Sequence, residues 1–171
     1  EAIVDWLESK MCSTNELEGT TILVTAGGTQ ESIDPVRYIG NRSSGKMGYA
    51  IAEQAVRMGA KVILVSAPTS LPIPSGVDFI SVDSAVSMQE AVEARYNDVN
   101  VVIMAAAVSD FRVLHKAEQK IKKMESMTIE LVKNPDILQG LGSKKNHQIL
   151  VGFAAETEHV IKYGQDKVAR K

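Results

Sequence analysis

Apolar residues along this chain form short continuous runs, separated by stretches in which apolar and polar positions alternate with a helical period. The runs are rich in β-branched residues, as is typical of strands buried on both faces of a sheet. They are TTILVTA (20–26), KVILVSA (61–67), DFISV (78–82), VVIMAAAV (101–108) and ILVGFAA (149–155). A sixth stretch, MTIELV (127–132), alternates apolar and polar positions and predicts a further strand.

The longest helical pattern follows the first of these runs. It predicts a helix from about Gly45 to Met58, with Ser43 or Ser44 as its cap and Gly59 as its stop. The apolar stripe of this helix is predicted to consist of Met47, Ile51, Ala55 and Met58.

Three further helices are predicted within the main body of the chain. One is amphipathic and spans SAVSMQEAVEARYN (84–97), and another is short, with Asn134 as its cap and Pro135 at its first position. The last begins at about Glu156. Residues 3–11 also carry apolar residues at helical spacing, and we interpret residues 1–19 as a linker or helix that leads from a preceding domain.

Apolar strands that alternate with amphipathic helices predict the α/β class, here a doubly wound, mostly parallel, Rossmann-like sheet with helices on both faces. Ligands of such sheets bind outside the carboxyl ends of the strands. In this chain four segments are expected to meet there: AGGT (26–29), SAPTS (66–70), AAAVSD (105–110) and FAAET (153–157). We therefore expect a single ligand crevice lined by these segments.

Composition limits the classes of protein and the cellular compartments that suit this sequence. The 171 residues suit about one domain, and 19 Lys and Arg against 21 Asp and Glu give no basic excess for nucleic-acid binding. The longest apolar run is far shorter than the roughly 20 residues of a membrane-spanning helix. A single cysteine, Cys12, forms no internal disulfide, so we expect a cytoplasmic protein.

The segment GNRSSGKMG (40–48) differs by one residue from a phosphate-binding P-loop. Met47 stands where a P-loop needs a hydroxyl for Mg²⁺, and fourteen residues separate Ala26, at the end of the first strand, from Asn41. Free N–H groups and the positive end of a helix near Ser43 to Lys46 still favour an anion. The alternative is an ordinary helix cap with a solvated Lys46.

A second sequence motif, typical of dinucleotide-binding proteins, is also incomplete. AGGTQE (26–31) lacks G-x-G-x-x-G, and the second strand ends without the acidic residue that would bind a ribose diol. Tyr163 and Lys167 have the Y-x-x-x-K spacing of short-chain oxidoreductases that use NAD(P), although ILVG (149–152) lacks the expected Ser. The alternative for Tyr163 is simple packing on the last helix.

Lysines concentrate in two places. One group lies in the loop KAEQKIKKME (116–125), while Lys167 and Lys171 stand four residues apart on the predicted last helix. If both groups of lysines lie near one crevice, they would favour a polyanionic ligand such as a triphosphate. Asp110, just after a strand, suits a ribose partner or a carboxylate beside a metal ion. Phe153 either stacks on a base or fills the core.

Six motifs occur together in this order: TAGGTQE (25–31), DPVRYIGNRSSGKMG (34–48), AAAVSD (105–110), KIKK (120–123), KNPDI (133–137) and GFAAET (152–157). With them, the chain closely resembles the bacterial phosphopantothenoylcysteine synthetase domain of coenzyme A biosynthesis. In many bacteria that domain is the C-terminal half of a bifunctional protein whose upstream half is a flavin-dependent (FMN) decarboxylase. The resemblance covers residues 20–171, and the family's further strand and loop after Lys171 are absent from this sequence.

The resemblance implies a CTP-dependent ligase. Such an enzyme converts 4'-phosphopantothenate and CTP to an acyl-cytidylate and pyrophosphate, and cysteine then displaces CMP to form an amide. The resemblance implies Lys120 as the catalytic residue of the first step and Asn41 as that of the second. It also implies Mg²⁺ as cofactor and a homodimer in which Arg37 acts across the interface. The other hypotheses are the oxidoreductase and a nucleotide-binding regulatory module without turnover.

The remaining site residues are also implied by the resemblance. The nucleotide would contact Met104, Ala105, Ala106, Asp110, Lys120, Pro135, Asp136, Ile137, Leu138, Phe153, Lys167 and Lys171. Phosphopantothenate would contact Arg37, Asn41 and Ala107. No metal ligands are implied.

Overall fold

A five-stranded parallel sheet forms the centre of the molecule. The computed structural model describes residues 14–153. The strands of the sheet are β1 (Thr21–Ala26), β4 (Lys61–Ser66), β5 (Val77–Ser81), β6 (Val101–Met104) and β9 (Ile149–Gly152). They lie in the order β5-β4-β1-β6-β9, with Ile22 of β1 aligned with Val62 of β4 and Val101 of β6. Every pair in this sheet is parallel, which confirms the predicted sheet.

In the described part of the chain, three helices cover the sheet: α1 (Lys46–Arg57), α2 (Ala85–Arg95) and α3 (Ile137–Ser143), and a short 3₁₀ turn, Tyr96–Asp98, follows α2. Alternate residues of β1 point to opposite faces, so Leu23 belongs to one core cluster and Val24 to the other. The Leu23 cluster includes Met88 of α2 and Leu141 of α3, whereas the Val24 cluster includes Ala52 of α1. The doubly wound α/β class is confirmed.

Two small antiparallel hairpins stand outside the central sheet. One consists of β2 (Gln30–Ser32) and β3 (Tyr38–Gly40), and the other of β7 (Phe111–Val113) and β8 (Leu131–Lys133). The predicted strand over 127–132 was therefore wrong in extent, since only its last two residues belong to β8. The predicted strand over 101–108 ends at Met104, and beyond it only the backbone of Ala107 pairs, with Gly27 and Thr29 in the segment after β1.

The first hairpin is attached to the start of α2. Glu31 of β2 is buried, and its Oε1 accepts a hydrogen bond of 2.9 Å from the backbone N–H of Ala85. The backbone N–H of Gln30 donates to the carbonyl of Asp83 at 2.7 Å. Ser84 caps α2 as well, accepting from the N–H of Ser87. The first turn of α2 therefore has one partner in the residue just before it and one in a strand more than fifty residues away.

The start of α1 differs from the prediction. Its cap is Gly45, with φ 75°, and neither Ser43 nor Ser44 provides a side-chain cap. A Cβ on Gly45 would lie 2.6 Å from Cγ2 of Thr69, so a larger residue would require Thr69 to shift and would also be strained in the left-handed backbone conformation.

The predicted stripe of α1 was correct at Ala55, which is buried, and at Ile51, which packs against the same core cluster, but wrong at Met47. Met47 is 47% exposed, while Gly48, Tyr49, Ala52 and Ala55 are the buried residues. Small residues lie on the buried face because α1 packs closely on the end of β1. The predicted stop is confirmed, since α1 ends at Arg57 and Gly59 has φ 89°.

The start of α3 is also corrected. The helix begins at Ile137 with Asp136 as its cap, accepting a 3.0 Å hydrogen bond from the N–H of Gln139. Asn134 and Pro135 therefore precede the helix. The helices predicted over 3–11 and from Glu156 lie outside the described residues. Within residues 14–153, no helix has the length and apolar character needed to span a bilayer.

Candidate functional site

A cavity of about 910 Å³ opens at the carboxyl ends of β1 and β6. This is the topological switch point, because the chain builds β4 and β5 on one side of β1 and then returns to place β6 and β9 on the other. Its lining comes from three segments together with the end of β9. They are Asn41–Met47, Met104–Asp110, Lys133–Leu138, and Gly152 with Phe153.

The floor of the cavity is fastened by hydrogen bonds between the two strand ends. The N–H of Ala107 donates to the carbonyl of Gly27 at 2.8 Å, and the N–H of Thr29 donates to the carbonyl of Ala107 at 3.2 Å. The hydroxyls of two buried threonines also hold this segment. Thr25 accepts from the N–H of Ala106 at 3.1 Å, and Thr29 accepts from the N–H of Ser109 at 2.9 Å. The alanine segment is thereby fixed where a ligand would contact its backbone.

Asn41 lies at the rim, directly after β3. Its Nδ2 donates to the carbonyl of Val108 at 3.1 Å, so the loop from the hairpin is tied to the segment after β6. Gly28 lies beneath it, and a Cβ there would approach the carbonyl oxygen of Asn41 to 2.9 Å. A side-chain amide has two N–H donors, so the bond to Val108 leaves one for a ligand.

The N-terminal end of α1 faces the same cavity. Residues Arg42–Met47 contribute to the lining, with Gly45 as the cap and Lys46 as the first helical residue. Backbone N–H groups of a first turn, the positive end of the helix and a lysine together favour an anionic group. This part of the cavity therefore suits a phosphate or carboxylate.

Asn134 braces the third wall. It is buried, its Nδ2 donates to the carbonyl of Ser109 at 2.8 Å, and its Oδ1 accepts from Arg112 at 3.1 Å. Its own N–H donates to the carbonyl of Asp110 at 2.8 Å. The segment that leads into α3 is thus held against the segment after β6, and both contribute carboxylates to the lining.

The carboxylates of the lining are Asp110 and Asp136. Within the described part of the chain, no group of three or more His, Cys, Asp or Glu side chains is placed to hold a metal ion. Mg²⁺ commonly binds through one or two carboxylates and completes its coordination with substrate phosphates and water. Asp110 and Asp136 are therefore the two carboxylates of the lining that could contribute to such a site.

Eleven of the predicted site residues lie in the cavity lining. They are Asn41, Met104, Ala105, Ala106, Ala107, Asp110, Pro135, Asp136, Ile137, Leu138 and Phe153. The side chain of Phe153 is 52% exposed, so it is not part of the hydrophobic core that the described residues form. Arg37 and Lys120 do not belong to this lining. Tyr163, Lys167 and Lys171 lie outside the described residues.

Arg37 and the loop that carries Lys120 are instead joined at a buried carboxylate, Asp34. The Oδ2 of Asp34 accepts from Nε of Arg37 at 2.9 Å, from Nη2 of Arg37, and from the backbone N–H of Ile121 at 3.2 Å. Its Oδ1 accepts from the N–H groups of Val36 and Arg37, at 2.8 Å each. The guanidinium of Arg37, followed by these N–H donors, holds the pKa of Asp34 far below its ordinary value of 3.8.

Sequence reasoning missed the residues that support the site. Thr25, Thr29 and Asn134 act through single long-range hydrogen bonds, and their spacing carries no periodic signal. The useful signal was their position: each stands at a strand end or just before a proline, where a side chain replaces backbone pairing.

Comparison with known proteins gives one family. The family model described as "DNA/pantothenate metabolism flavoprotein C-terminal domain" matches residues 17–171. The chain is 52% identical to the coenzyme A biosynthesis bifunctional protein CoaBC of Bacillus subtilis over 157 residues, covering 91% of this chain and 39% of that protein. It is 47% identical to CoaBC of Escherichia coli K12 over 174 residues, covering 99% of this chain and 43% of that protein.

A solved structure also resembles this chain. It is the crystal structure of the C-terminal domain of a CoaBC protein, with a TM-score of 0.82 and 50% identity. The match covers 92% of this chain and 75% of that structure. The chain thus spans about two fifths of the length of the curated relatives it matches.

Proposed function

The chain belongs to the DNA/pantothenate metabolism flavoprotein C-terminal domain family, and from this premise we propose that it is a CTP-dependent phosphopantothenate–cysteine ligase of coenzyme A biosynthesis. The observation that carries the proposal is the cavity at the carboxyl ends of β1 and β6. It combines a helix start suited to an anion, two carboxylates, and a backbone segment fixed by buried threonines. Such a helix start suits the phosphates of a nucleotide, and carboxylates suit the Mg²⁺ that accompanies them.

In the proposed first step, the carboxylate of 4'-phosphopantothenate attacks the α-phosphorus of CTP and pyrophosphate leaves. Two anions must approach each other, so positioning and cationic groups supply most of the rate. We assign Lys120 to this step. Its loop is fastened to the first hairpin through Asp34 and Lys120 lies outside the cavity lining, so this assignment requires the lysine side chain to extend toward the nucleotide from the hairpin side.

In the proposed second step, the amino group of cysteine attacks the acyl carbon, and CMP leaves as the amide forms. We assign Asn41 to this step, because its position at the rim next to Val108 allows its remaining N–H to donate to an oxygen of the intermediate. Ala107, whose backbone is bonded to Gly27, lines the neighbouring surface for phosphopantothenate.

The nucleotide is proposed to lie along Met104–Ala106, Asp110 and the Pro135–Leu138 segment, with Phe153 beside the base. Asp110 and Asp136 would hold Mg²⁺ together with the phosphates, and this ion would neutralise charge as pyrophosphate departs. Lys167 and Lys171 are proposed as further triphosphate contacts. A preference for CTP over ATP rests on family resemblance.

The direct test follows pyrophosphate and amide formation separately. Lys120→Gln should abolish pyrophosphate release, since the first step loses its cation. Asn41→Asp should still release pyrophosphate but accumulate the acyl-cytidylate, which can be quantified by quenched-flow mass spectrometry. Normal pyrophosphate release by Lys120→Gln, or unchanged amide formation by Asn41→Asp, would refute the corresponding assignment.

A thermal-shift series separates the ligase from the other hypotheses. CTP with Mg²⁺ should raise the melting temperature and NADPH should not, because a ligand that binds only the folded state stabilises it. The reverse result would favour the oxidoreductase. CTP binding without phosphopantothenate-dependent pyrophosphate release would favour a regulatory module.

We further propose a homodimer formed through the two hairpins. Exposed apolar side chains concentrate there, with Val36 and Tyr38 on or beside the first hairpin and Phe111 and Leu131 on the second, and β2 contacts β7. Contiguous exposed apolar surface is typical of interaction sites. Tyr38→Glu should convert a dimer to a monomer in analytical ultracentrifugation, whereas Ile73→Glu, also exposed but remote in the fold, should not.

The natural protein is proposed to carry an FMN-dependent decarboxylase domain before residue 20, with residues 1–19 as the connection. Support comes from the bifunctional relatives, of which this chain matches about two fifths. The complete reading frame, or the mass and flavin absorbance of the protein purified from its source, tests this directly.

A further inference from the structure

Asp34 makes more hydrogen bonds than its own turn requires. Through Oδ1 it accepts from the N–H groups of Val36 and Arg37, which is the ordinary way in which an aspartate closes a turn. Through Oδ2 it accepts from the guanidinium of Arg37 and from the N–H of Ile121, a residue 87 positions away in the chain. The second oxygen therefore serves a contact between segments rather than the turn.

Arg37 completes this contact from the other side. Its Nη2 donates to the carbonyl of Ile121 at 2.9 Å, so both backbone groups of Ile121 are bound, one by the carboxylate and one by the guanidinium. Asp34 is 2% exposed, and a buried carboxylate is tolerated only when it is paired and hydrogen-bonded. One further bond, from the N–H of Ala117 to the carbonyl of Ile33 at 2.9 Å, holds the same loop nearby.

This contact joins the two segments that carry the proposed chemistry. Lys120 immediately precedes Ile121 in the loop, and Asn41 immediately follows β3 of the hairpin whose turn contains Asp34. The side chain of Lys120 is exposed and its loop has no regular secondary structure, so the position of its backbone depends on such tethers.

We propose that Asp34 is a positioning residue that fixes the backbone of Lys120 relative to the hairpin that carries Asn41. The role given to Lys120 rests on the proposed function, whereas the contact itself does not. Asp34 contacts no reacting atom in this proposal. It acts through Arg37 and Ile121, and its loss would allow the lysine to move without unfolding the sheet.

The first test uses Asp34→Asn. An asparagine can keep Oδ1 for the turn, but its NH₂ group then faces the guanidinium of Arg37 and the N–H of Ile121, which are also donors. Hydrogen exchange of peptides that span 119–123 should become about tenfold faster or more, while peptides from β1 and β4 should exchange at the wild-type rate. Ile121→Pro, which removes the N–H on the loop side and leaves Asp34 unchanged, should give the same local effect.

The second test measures both half-reactions in the same variants. Pyrophosphate release should fall in kcat by roughly tenfold to a hundredfold, as expected when a catalytic group is displaced by about an ångström, while KM for CTP stays within about twofold. Glu53→Gln is the matched control, because Glu53 forms an i,i+4 ion pair of 2.9 Å with Arg57 on the surface of α1. It should change neither the exchange nor the rate.

Each outcome bears on a different claim. Unchanged exchange at 119–123 in Asp34→Asn would overturn the contact. Faster exchange with an unchanged kcat would overturn the positioning of Lys120. Faster exchange throughout β1 and β4 would show a general structural role instead. Absence of pyrophosphate release by the wild-type protein would refute the proposed function, and the exchange result would still judge the contact.

Discussion

Gly48 and Gly140 both lie inside helices, yet replacing each by alanine should change stability in opposite directions. Intrinsic propensity alone favours alanine over glycine by about 1 kcal/mol in a helix interior. Gly140, in α3, has no atom within 4 Å of an added Cβ, so Gly140→Ala should realise this gain. It should raise the melting temperature by roughly 2–4 °C for a domain of this size.

The surroundings of Gly48 make the same substitution destabilising there. An added Cβ would lie 2.6 Å from Cβ of Ala26, 2.9 Å from the carbonyl oxygen of Thr25 and 3.1 Å from Cα of Ala26. Two of these atoms belong to the backbone of β1, so no side chain can rotate away. Overpacking typically costs about 1–3 kcal/mol, and rigid neighbours place the cost near 3 kcal/mol. After subtracting the propensity gain, Gly48→Ala should lose about 2 kcal/mol, or roughly 4–8 °C.

Urea and thermal unfolding of both variants, followed by circular dichroism, measure the difference. The expected separation between the two melting temperatures is roughly 6–12 °C. An increase in stability for Gly48→Ala comparable to that for Gly140→Ala would refute the close packing of α1 on the end of β1. It would also weaken the placement of the start of α1 beside the cavity, because the same packing sets the height of that helix.

Three further predictions concern the site. Gly28→Ala, whose Cβ would meet the carbonyl oxygen of Asn41 at 2.9 Å, should slow amide formation about tenfold or more in a coupled product assay, and full activity would contradict the close approach. Asn134→Ala leaves the buried carbonyl of Ser109 without its hydrogen-bond donor and should lower the free energy of unfolding in urea by about 2 kcal/mol. A change near zero would show that this hydrogen bond is dispensable. Because the folded pKa of Asp34 is below its ordinary 3.8, the stabilisation that its carboxylate gives to the 119–123 loop is complete above that pH and declines as the pH falls toward the folded pKa. The extra hydrogen-exchange protection of peptides 119–123 in the wild type over Asp34→Asn, compared at the same pH, should be constant between about pH 5 and 8 and narrow below about pH 4, and growth there would contradict the pKa direction.

Much of the fold could be predicted because its main signals are local. Each strand of the central sheet lies in a run rich in apolar residues, and the predicted helix over residues 84–97 contains α2. The hairpin strands β2, β3 and β7 escaped prediction because each has only three residues and is stabilised by partners distant in sequence. A cap such as Gly45 was missed because crowding by Thr69, which selects it, exists only in the folded chain.

The candidate site was predicted unevenly for a related reason. Residues at strand ends, such as Ala105 and Asp110, meet in one cavity because the parallel sheet brings all carboxyl ends together. Lys120 and Arg37 were expected in the same crevice, but the charge pattern alone did not indicate that a buried aspartate joins Arg37 to the loop that carries Lys120. Their proposed roles stay predictions, which the exchange and kinetic experiments test.

The attachment of Glu31 to the start of α2 has a consequence for cooperativity. The N–H of Ala85 has its partner in β2, whereas the N–H of Ser87 has its partner in Ser84. If the hairpin separates from the core, α2 loses one of its terminal partners, and if the first turn of α2 frays, Glu31 is left as a buried charge without its donor. The hairpin and the beginning of α2 should therefore open and close as one unit, although more than fifty residues separate them in the chain.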